Sequence, residues 1–247
     1  YGKAMGEGLG DKDIKDAALP PTTRAYHFAG APQLRFGQPL SGTFPANPLD
    51  VRPGLRGLYV TLDQWVRAGT TPVASRYPLI SARELVAIDD WDPAALAAVA
   101  LPRGPWPVFS LTRTQSAPVL SKPRPALVPQ LDPVGNELAG IRLPMINAPL
   151  ATYLGWNLRP PAIGAPRETL AHVGGIYPLA RTREERNPRD PRSVITELYA
   201  SRADYLKQIA ADAASRGSWD IRDASRRPGP TCSPGQAETT EPRGERE

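Results

Sequence analysis

Residues 53–68, which read PGLRGLYVTLDQWVRA, carry the clearest structural signal in the chain. Their apolar side chains recur at intervals of three and four residues, which is the spacing of an amphipathic helix. The pattern predicts a helix over residues 53–68 whose Leu58, Leu62 and Trp65 side chains point toward the core.

Both ends of this helix have recognisable signals. Asp50 is the expected N-cap, and Pro53 fits a first turn, where its missing N–H costs nothing. Gly69 can adopt the left-handed conformation that often ends a helix. These signals set the boundaries of the predicted element.

The residues before the helix predict a strand and a loop. Apolar and polar residues alternate from Arg24 to Ala29 and lead into Gly30, so this stretch is read as a loop feeding a strand. Glycine, proline and asparagine are closely spaced over residues 31–50, which favours a loop.

The middle of the chain is interrupted by prolines. Residues 70–130 contain short apolar runs and a brief alanine-rich helical signal at residues 93–99. We expect an extended covering segment of low regularity. The turn-forming sequence at residues 132–136 separates two short apolar runs, 126–128 and 138–141, and predicts a hairpin.

The last folded part is predicted to be helical. Residues 193–199 indicate a short helical piece, and Ser201 and Asp204 resemble a capping box before a longer helix. An apolar stripe follows, formed by Tyr205, Leu206, Ile209, Ala210 and Ala213. From residue 217 onward the chain is charged and rich in arginine, proline and glycine, and we expect a disordered tail over residues 217–247.

Composition favours a folded chain with much irregular surface. The 247 residues include 30 prolines and 21 glycines, and proline is well above its usual share of about 5%. The net charge of +5 comes from 30 basic and 25 acidic residues that interleave, as they do over residues 181–186. Nucleic-acid-binding proteins concentrate basic residues on one face, so a solvated surface is favoured and no nucleic-acid partner is expected.

Neither compartment nor oligomeric state can be read from the sequence. The single cysteine, Cys232, excludes an intramolecular disulfide. No apolar run reaches the roughly 18 residues of a membrane span, and the first residues lack the apolar core of a signal peptide. They resemble mid-protein sequence, so we expect a truncated N-terminus.

The residues needed for common catalytic sites are incomplete. No G-x-S-x-G nucleophile elbow occurs, and the chain has two histidines, His27 and His172. No zinc motif is present, and the acidic cluster at residues 11–16 lacks the glycine of a calcium loop, so no metal is expected. Neither a dinucleotide fingerprint nor a Walker loop supports a nucleotide cofactor, and we expect no cofactor.

Several stretches resemble the C-terminal portion of a bacterial family of α/β-hydrolase domain proteins. They include YHFAG at residues 26–30, NPLDVRP at residues 47–53, GNELAGIRLP at residues 135–144 and APLATYLGWNLR at residues 148–159. The pattern continues through PLARTREER at residues 178–186, and together these stretches cover most of residues 20–215.

The resemblance implies an α/β fold containing the last strands and a covering helix of an α/β hydrolase, with an irregular, proline-rich loop-and-helix extension. It divides the chain into four parts: core strands and helix at 1–70, a covering segment at 71–130, a hairpin and helical extension at 131–216, and the tail at 217–247. It further implies a serine-type hydrolase whose nucleophile elbow lies upstream of Tyr1, and whose substrate is a small ester or amide.

The family pattern places the catalytic histidine at the position of Gln33. The nucleophile elbow is absent and glutamine cannot act as a general base near neutral pH, so the resemblance implies that this chain alone is inactive. His27 is the substitute candidate if its ring faces the site rather than the core. The alternative is a non-enzymatic binding module that uses an aromatic surface formed by Trp91, Trp106, Tyr153 and Trp156.

Overall fold

The amphipathic stretch forms the longest helix within the residues that the structure describes. The computed structural model describes residues 15–32, 42–104, 111–113, 118–120, 126–170 and 173–215. Helix α1 spans Arg52–Ala68 and ends as predicted at Gly69, whose φ is 69° and whose N–H donates to the Trp65 carbonyl. Its start differs slightly. Val51 is the N-cap, and its side chain makes no capping hydrogen bond. The carboxylate of Asp50, one residue further from the helix, accepts the Arg52 N–H at 3.1 Å.

The buried face of α1 is built on glycine. Gly54 and Gly57 are its buried residues, and the Phe28 ring lies so close that a Cβ at position 54 would be 2.5 Å from it. Trp65 is half-buried, whereas Leu62 is 49% exposed, so the prediction that Leu62 points inward is wrong. The close approach of Phe28 to Gly54 sets the rotation of the helix, and Leu62, eight residues further along, lies about 80° around the axis from that contact.

The sheets within the described residues are small and antiparallel, each with two strands. Strand β1 (Leu85–Ala87) pairs with β4 (Leu127–Pro129), and β2 (Leu111–Arg113) pairs with β3 (Pro118–Leu120). Strand β5 (Ala151–Leu154) pairs with β8 (Gly175–Pro178), and β6 (Asn157–Leu158) pairs with β7 (Thr169–Leu170).

The predicted strand before Gly30 is an extended segment with single bridges on both edges. Tyr26 bridges to Arg76 and Phe28 bridges to Ile141, both in parallel orientation. The His27 N–H donates to the Arg76 carbonyl at 2.8 Å, and the His27 carbonyl accepts the Ile141 N–H at 2.6 Å. The segment therefore occupies an interior position between two neighbouring chain segments.

The predicted hairpin is only partly present. The turn forms as expected, because the Asp132 N–H donates to the Asn136 carbonyl and Leu131 bridges antiparallel to Glu137. Residues 127–129, however, pair with β1, and Ile141 pairs with Phe28. The turn residues determine the reversal of the chain, but the partners of the flanking runs come from distant sequence.

The core lies around β5, whose four residues are all buried. One cluster contains Leu49, Ile146, Ala151 and Tyr153, and a second contains Leu96, Val99 and Leu154. Leu96 belongs to a short 3-10 turn, Ala94–Leu96, at the predicted helical signal. Two further 3-10 turns span Ile88–Asp90 and Pro161–Ile163.

Three buried asparagines join loops to this core. The Asn47 amide donates to the carbonyls of Gly30 and Leu154. Asn136 donates to the Ala151 carbonyl and accepts the Tyr153 N–H, and Asn157 both accepts from and donates to the backbone of Phe44. Each planar amide satisfies backbone donors and acceptors that no regular sheet would pair.

Three further helices complete the described chain: α2 (Pro144–Asn147), α3 (Ile195–Leu198) and α4 (Arg202–Ser215). At the start of α4 the Ser201 hydroxyl accepts the Asp204 N–H, as the capping signal predicts. Leu206, predicted in the apolar stripe of α4, is 48% exposed. Among the described residues, no helix is long and apolar enough to cross a membrane. The predicted tail at 217–247 lies outside the described residues.

Candidate active site around His27

The extended segment determines which way His27 points. Neighbouring residues of an extended chain point to opposite faces. Phe28 packs against Gly54 of α1, so the His27 ring is directed away from the face that α1 covers. There it meets the turn that follows β4.

His27 and Glu137 form a close pair across 110 positions of sequence. The His27 Nε2 atom lies 2.6 Å from Glu137 Oε2. The His27 side chain is 22% exposed and the Glu137 side chain is 8% exposed, so the contact is shielded but reachable from solvent. A carboxylate in this position orients an imidazole and stabilises its protonated form.

The turn that carries Glu137 is held by Asp132 and Arg142. One Asp132 carboxylate oxygen accepts the N–H groups of Val134 and Asn136, each at 2.9 Å. The other accepts from Arg142 Nη2 at 2.5 Å, while Arg142 Nη1 donates to the Glu137 carbonyl. Arg142 therefore ties both ends of the turn together and fixes the backbone that presents the Glu137 carboxylate.

Gly140 allows the turn to approach His27. Its φ is 92°, a conformation that side chains rarely adopt, and a Cβ there would lie 2.6 Å from the His27 carbonyl oxygen and 2.8 Å from His27 Cδ2. The chain therefore needs glycine at this position for two independent reasons.

Asn136 fixes the turn to the core from the other side. Its side chain is fully buried and bonded to the backbone of β5. Since Asn136 precedes Glu137 directly, the position of the carboxylate relative to His27 is tied to strand β5, whose four residues are all buried.

The other two candidates from the sequence, Gln33 and His172, lie outside the described residues. The role of Glu137 was not recognised from sequence, although residues 135–144 stood out as a motif. The turn chemistry at Asp132 located the loop, but no local pattern indicates a partner 110 residues away.

A second buried pair, Asp190 with Arg192, has a structural rather than a chemical arrangement. The Arg192 side chain is wholly buried and donates to Asp190, to the Thr152 hydroxyl and to the Tyr177 carbonyl. Burial acts to raise the pKa of Asp190, but the hydrogen bonds and charge of Arg192 outweigh it and lower the pKa. With its donors occupied, Arg192 is not positioned to bind a substrate.

Two tyrosines close to the core are held protonated. Burial is the main cause that raises the pKa of Tyr153 to about 12 and that of Tyr199 to about 12. The Tyr199 hydroxyl donates to the Pro149 carbonyl at 3.1 Å. At neutral pH neither hydroxyl can act as a base.

The three described residues of the binding-module alternative are buried or half-buried. Tyr153 is 5% exposed within the first core cluster, and Trp91 and Trp156 pack half-buried against the second. Trp106 lies outside the described residues. The prediction that Tyr153 belongs to a docking surface is wrong, because strand β5 places it in the core.

Comparison with known proteins identifies the family. The sequence model of the alpha/beta hydrolase domain family matches residues 15–217, which is most of the chain. Searches of curated proteins and of solved structures found no match. Helices together with small sheets agree with an α/β composition. The match confirms the family of the resemblance, whereas the bacterial source and the C-terminal position stay predictions. The chain belongs to the alpha/beta hydrolase domain family.

Proposed function

We propose that this chain supplies the histidine and its orienting carboxylate to a serine-type hydrolase acting on small esters or amides. The observation that carries the proposal is the 2.6 Å contact between His27 Nε2 and Glu137 Oε2 in a chain of the hydrolase family. The serine and the oxyanion-binding groups would come from residues outside this sequence, which has no G-x-S-x-G elbow.

The chemistry follows from the pair. A serine hydroxyl is a weak nucleophile until a base accepts its proton, and the same base returns a proton to the leaving group. His27 would perform both transfers. Glu137 would hold the ring and stabilise its positive charge after the first transfer.

The pair departs from the usual arrangement of such hydrolases in two respects. In the usual triad the acid contacts Nδ1 and leaves Nε2 to accept the serine proton, whereas Glu137 contacts Nε2 of His27, so Nδ1 would be the accepting atom here. The triad of this fold runs serine, acid, histidine along the chain. Glu137 instead follows His27, so it would act as an acid recruited from the extension after the core. The competing assignment places the base at Gln33, where the resemblance expects a histidine.

The isolated chain is expected to be inactive. Short-chain aryl esters should not be hydrolysed above the rate of a heat-denatured control. A rate that a serine-directed inhibitor abolishes would contradict the proposal, because it would require a nucleophile in this chain.

A fused protein that adds an upstream hydrolase half with its serine and oxyanion-binding groups, and without an acid of its own, tests the base. His27→Ala should abolish its activity, since a positioned general base contributes about 10²–10⁴-fold. Glu137→Gln should lower kcat with a smaller effect on KM. Asp63→Asn, at an exposed carboxylate on α1, is the matched control and should change neither.

The opposite result assigns the base elsewhere. Suppose that the fused protein is almost inactive and that Gln33→His raises its activity by about 10²–10⁴-fold, the contribution of a general base. Gln33 then marks the position of a lost base. His27 and Glu137 would then be a structural pair. If activity is high and survives His27→Ala, the proposal also fails, and His172 remains to be tested.

A further inference from the structure

Helix α1 has an apolar face that the described residues of its own chain leave open. Leu55, Tyr59, Leu62 and Val66 are 40%, 71%, 49% and 78% exposed, and they form what we call the α1 stripe. At about 100° per residue, the centre of the stripe lies about 110° around the helix axis from Gly54, which packs against Phe28. Scattered exposed apolar residues are ordinary, but four aligned along one helix mark an interaction surface.

The spacing of the α1 stripe fits another helix. Successive members are separated by four, three and four residues, which is the alternation of d and a positions in a heptad repeat. Such a seam packs against a helix with the same repeat. A second copy of α1 provides that repeat.

Charges beside the stripe select the orientation of the second helix. Arg56 and Asp63 each follow a d position of the seam and therefore occupy e positions. In an antiparallel pair, Leu55 would meet Val66 of the second copy, and the e positions would face each other. Arg56 would then lie opposite Asp63 of the second copy, twice by symmetry.

Two further features favour the antiparallel arrangement. A parallel pair would place e positions opposite g positions, which here are the uncharged residues Leu58 and Trp65, so the charges would gain no partner. Antiparallel helices also bring the positive N-terminus of each dipole beside the negative C-terminus of the other.

We propose that the α1 stripe binds a second copy of this chain, helix against helix and antiparallel. The inference does not depend on the hydrolase function. Four side chains cover less than the roughly 800 Å² per partner of a standard stable interface, so the dimer is weak and forms at high protein concentration.

Sedimentation of the full chain up to about 10⁻⁴ M, where a weak complex is populated, measures the association. Tyr59→Glu and Val66→Glu should each weaken it by at least about tenfold, because a charge would be buried in the seam. Both residues are largely exposed in the single chain, so circular dichroism should remain unchanged. Ile163→Glu, at an exposed apolar residue away from α1, is the matched control and should have no effect.

Charge reversal tests the orientation. Arg56→Asp should weaken the dimer by about three- to tenfold, and adding Asp63→Arg should restore it, since exposed ion pairs each contribute little. Asp63 also pairs with Arg67 of its own helix at 2.7 Å. Arg67→Ala removes that pair alone and should not weaken association.

Three results would overturn the proposal. The first is a chain that sediments as a monomer at every concentration, and the second is a dimer that the stripe substitutions do not weaken. The third is a monomer whose α1 stripe becomes protected from solvent only when a hydrolase half with an open sheet is added. The stripe would then bind that sheet and not a second copy.

Discussion

Asp190 and Arg192 form a two-bond ion pair inside the molecule, with Nε donating to Oδ1 at 2.8 Å and Nη2 to Oδ2 at 2.6 Å. The Arg192 guanidinium also lies 4.4 Å from the centroid of the Tyr177 ring. The pair joins the segment before α3 to strands β5 and β8.

Removing one partner of this pair should be costly. Asp190→Ala leaves a buried, uncompensated guanidinium, and we expect a loss of about 3–5 kcal/mol in the free energy of unfolding. Urea unfolding followed by circular dichroism measures it. Asp63→Ala, in the exposed pair with Arg67, is the control and should stay within about 0.5 kcal/mol. Equal losses in the two variants would contradict the structural role of Asp190.

The same carboxylate predicts an acid dependence of stability. Because the folded pKa of Asp190 lies below its ordinary value of 3.8, its contribution is complete above that value and is lost as the pH falls through the folded pKa. Stability measured from about pH 5 to pH 2 should therefore decline less steeply in Asp190→Asn than in the original chain. Parallel curves would show that this carboxylate does not titrate differently in the two states.

Alanine substitutions at three glycines distinguish the cost of backbone strain from the cost of a steric clash. A Cβ at Gly104 or Gly69 meets nothing within 4 Å, but Gly69 has a φ of 69°, whereas Gly140 combines a φ of 92° with close contacts to His27. Alanine should be tolerated at Gly104, cost about 1 kcal/mol at Gly69, and cost clearly more at Gly140. The order of the unfolding midpoints is the measurement. A Gly140→Ala variant as stable as Gly104→Ala would contradict the close approach.

Trp65 and Leu62 should respond differently to truncation. Trp65 is half-buried, with the Arg24 guanidinium 5.0 Å from its ring, so alanine should cost about 1–3 kcal/mol, less than the 3–5 kcal/mol of a fully buried tryptophan. Leu62→Ala should stay within about 0.5 kcal/mol in the dilute, single chain. Thermal unfolding at low concentration compares the two. A larger loss for Leu62 would restore the original assignment of the inward face.

The sequence predicted local elements better than their partners. Periodicity and Gly69 located α1, and Ser201 with Asp204 located the start of α4, because helix signals lie within a few residues of one another. Periodicity could not show which apolar residues of α1 are buried, because the contact with Phe28, which lies outside the helix, determines its rotation. The pairing of residues 127–129 with β1 was missed for the same reason.

The candidate site shows this limit most clearly. His27 could be selected from sequence because histidines are few in this chain. Glu137 could not be selected as its partner, because their contact depends on Gly140, Arg142 and Asn136 acting together on one turn. Such contacts arise from packing and leave no periodic pattern in the chain.

The three buried asparagines link loops to the core through amide groups that chemical ageing can change. Hydrolysis of the amide of Asn47, Asn136 or Asn157, in which water is consumed and ammonia leaves, would replace a donor by a carboxylate oxygen facing a main-chain carbonyl. The change is small in mass, yet it removes the link between a loop and the core and cannot be reversed by cooling. During prolonged heating, unfolding of this protein that is reversible at first should therefore become an irreversible loss of the native fold.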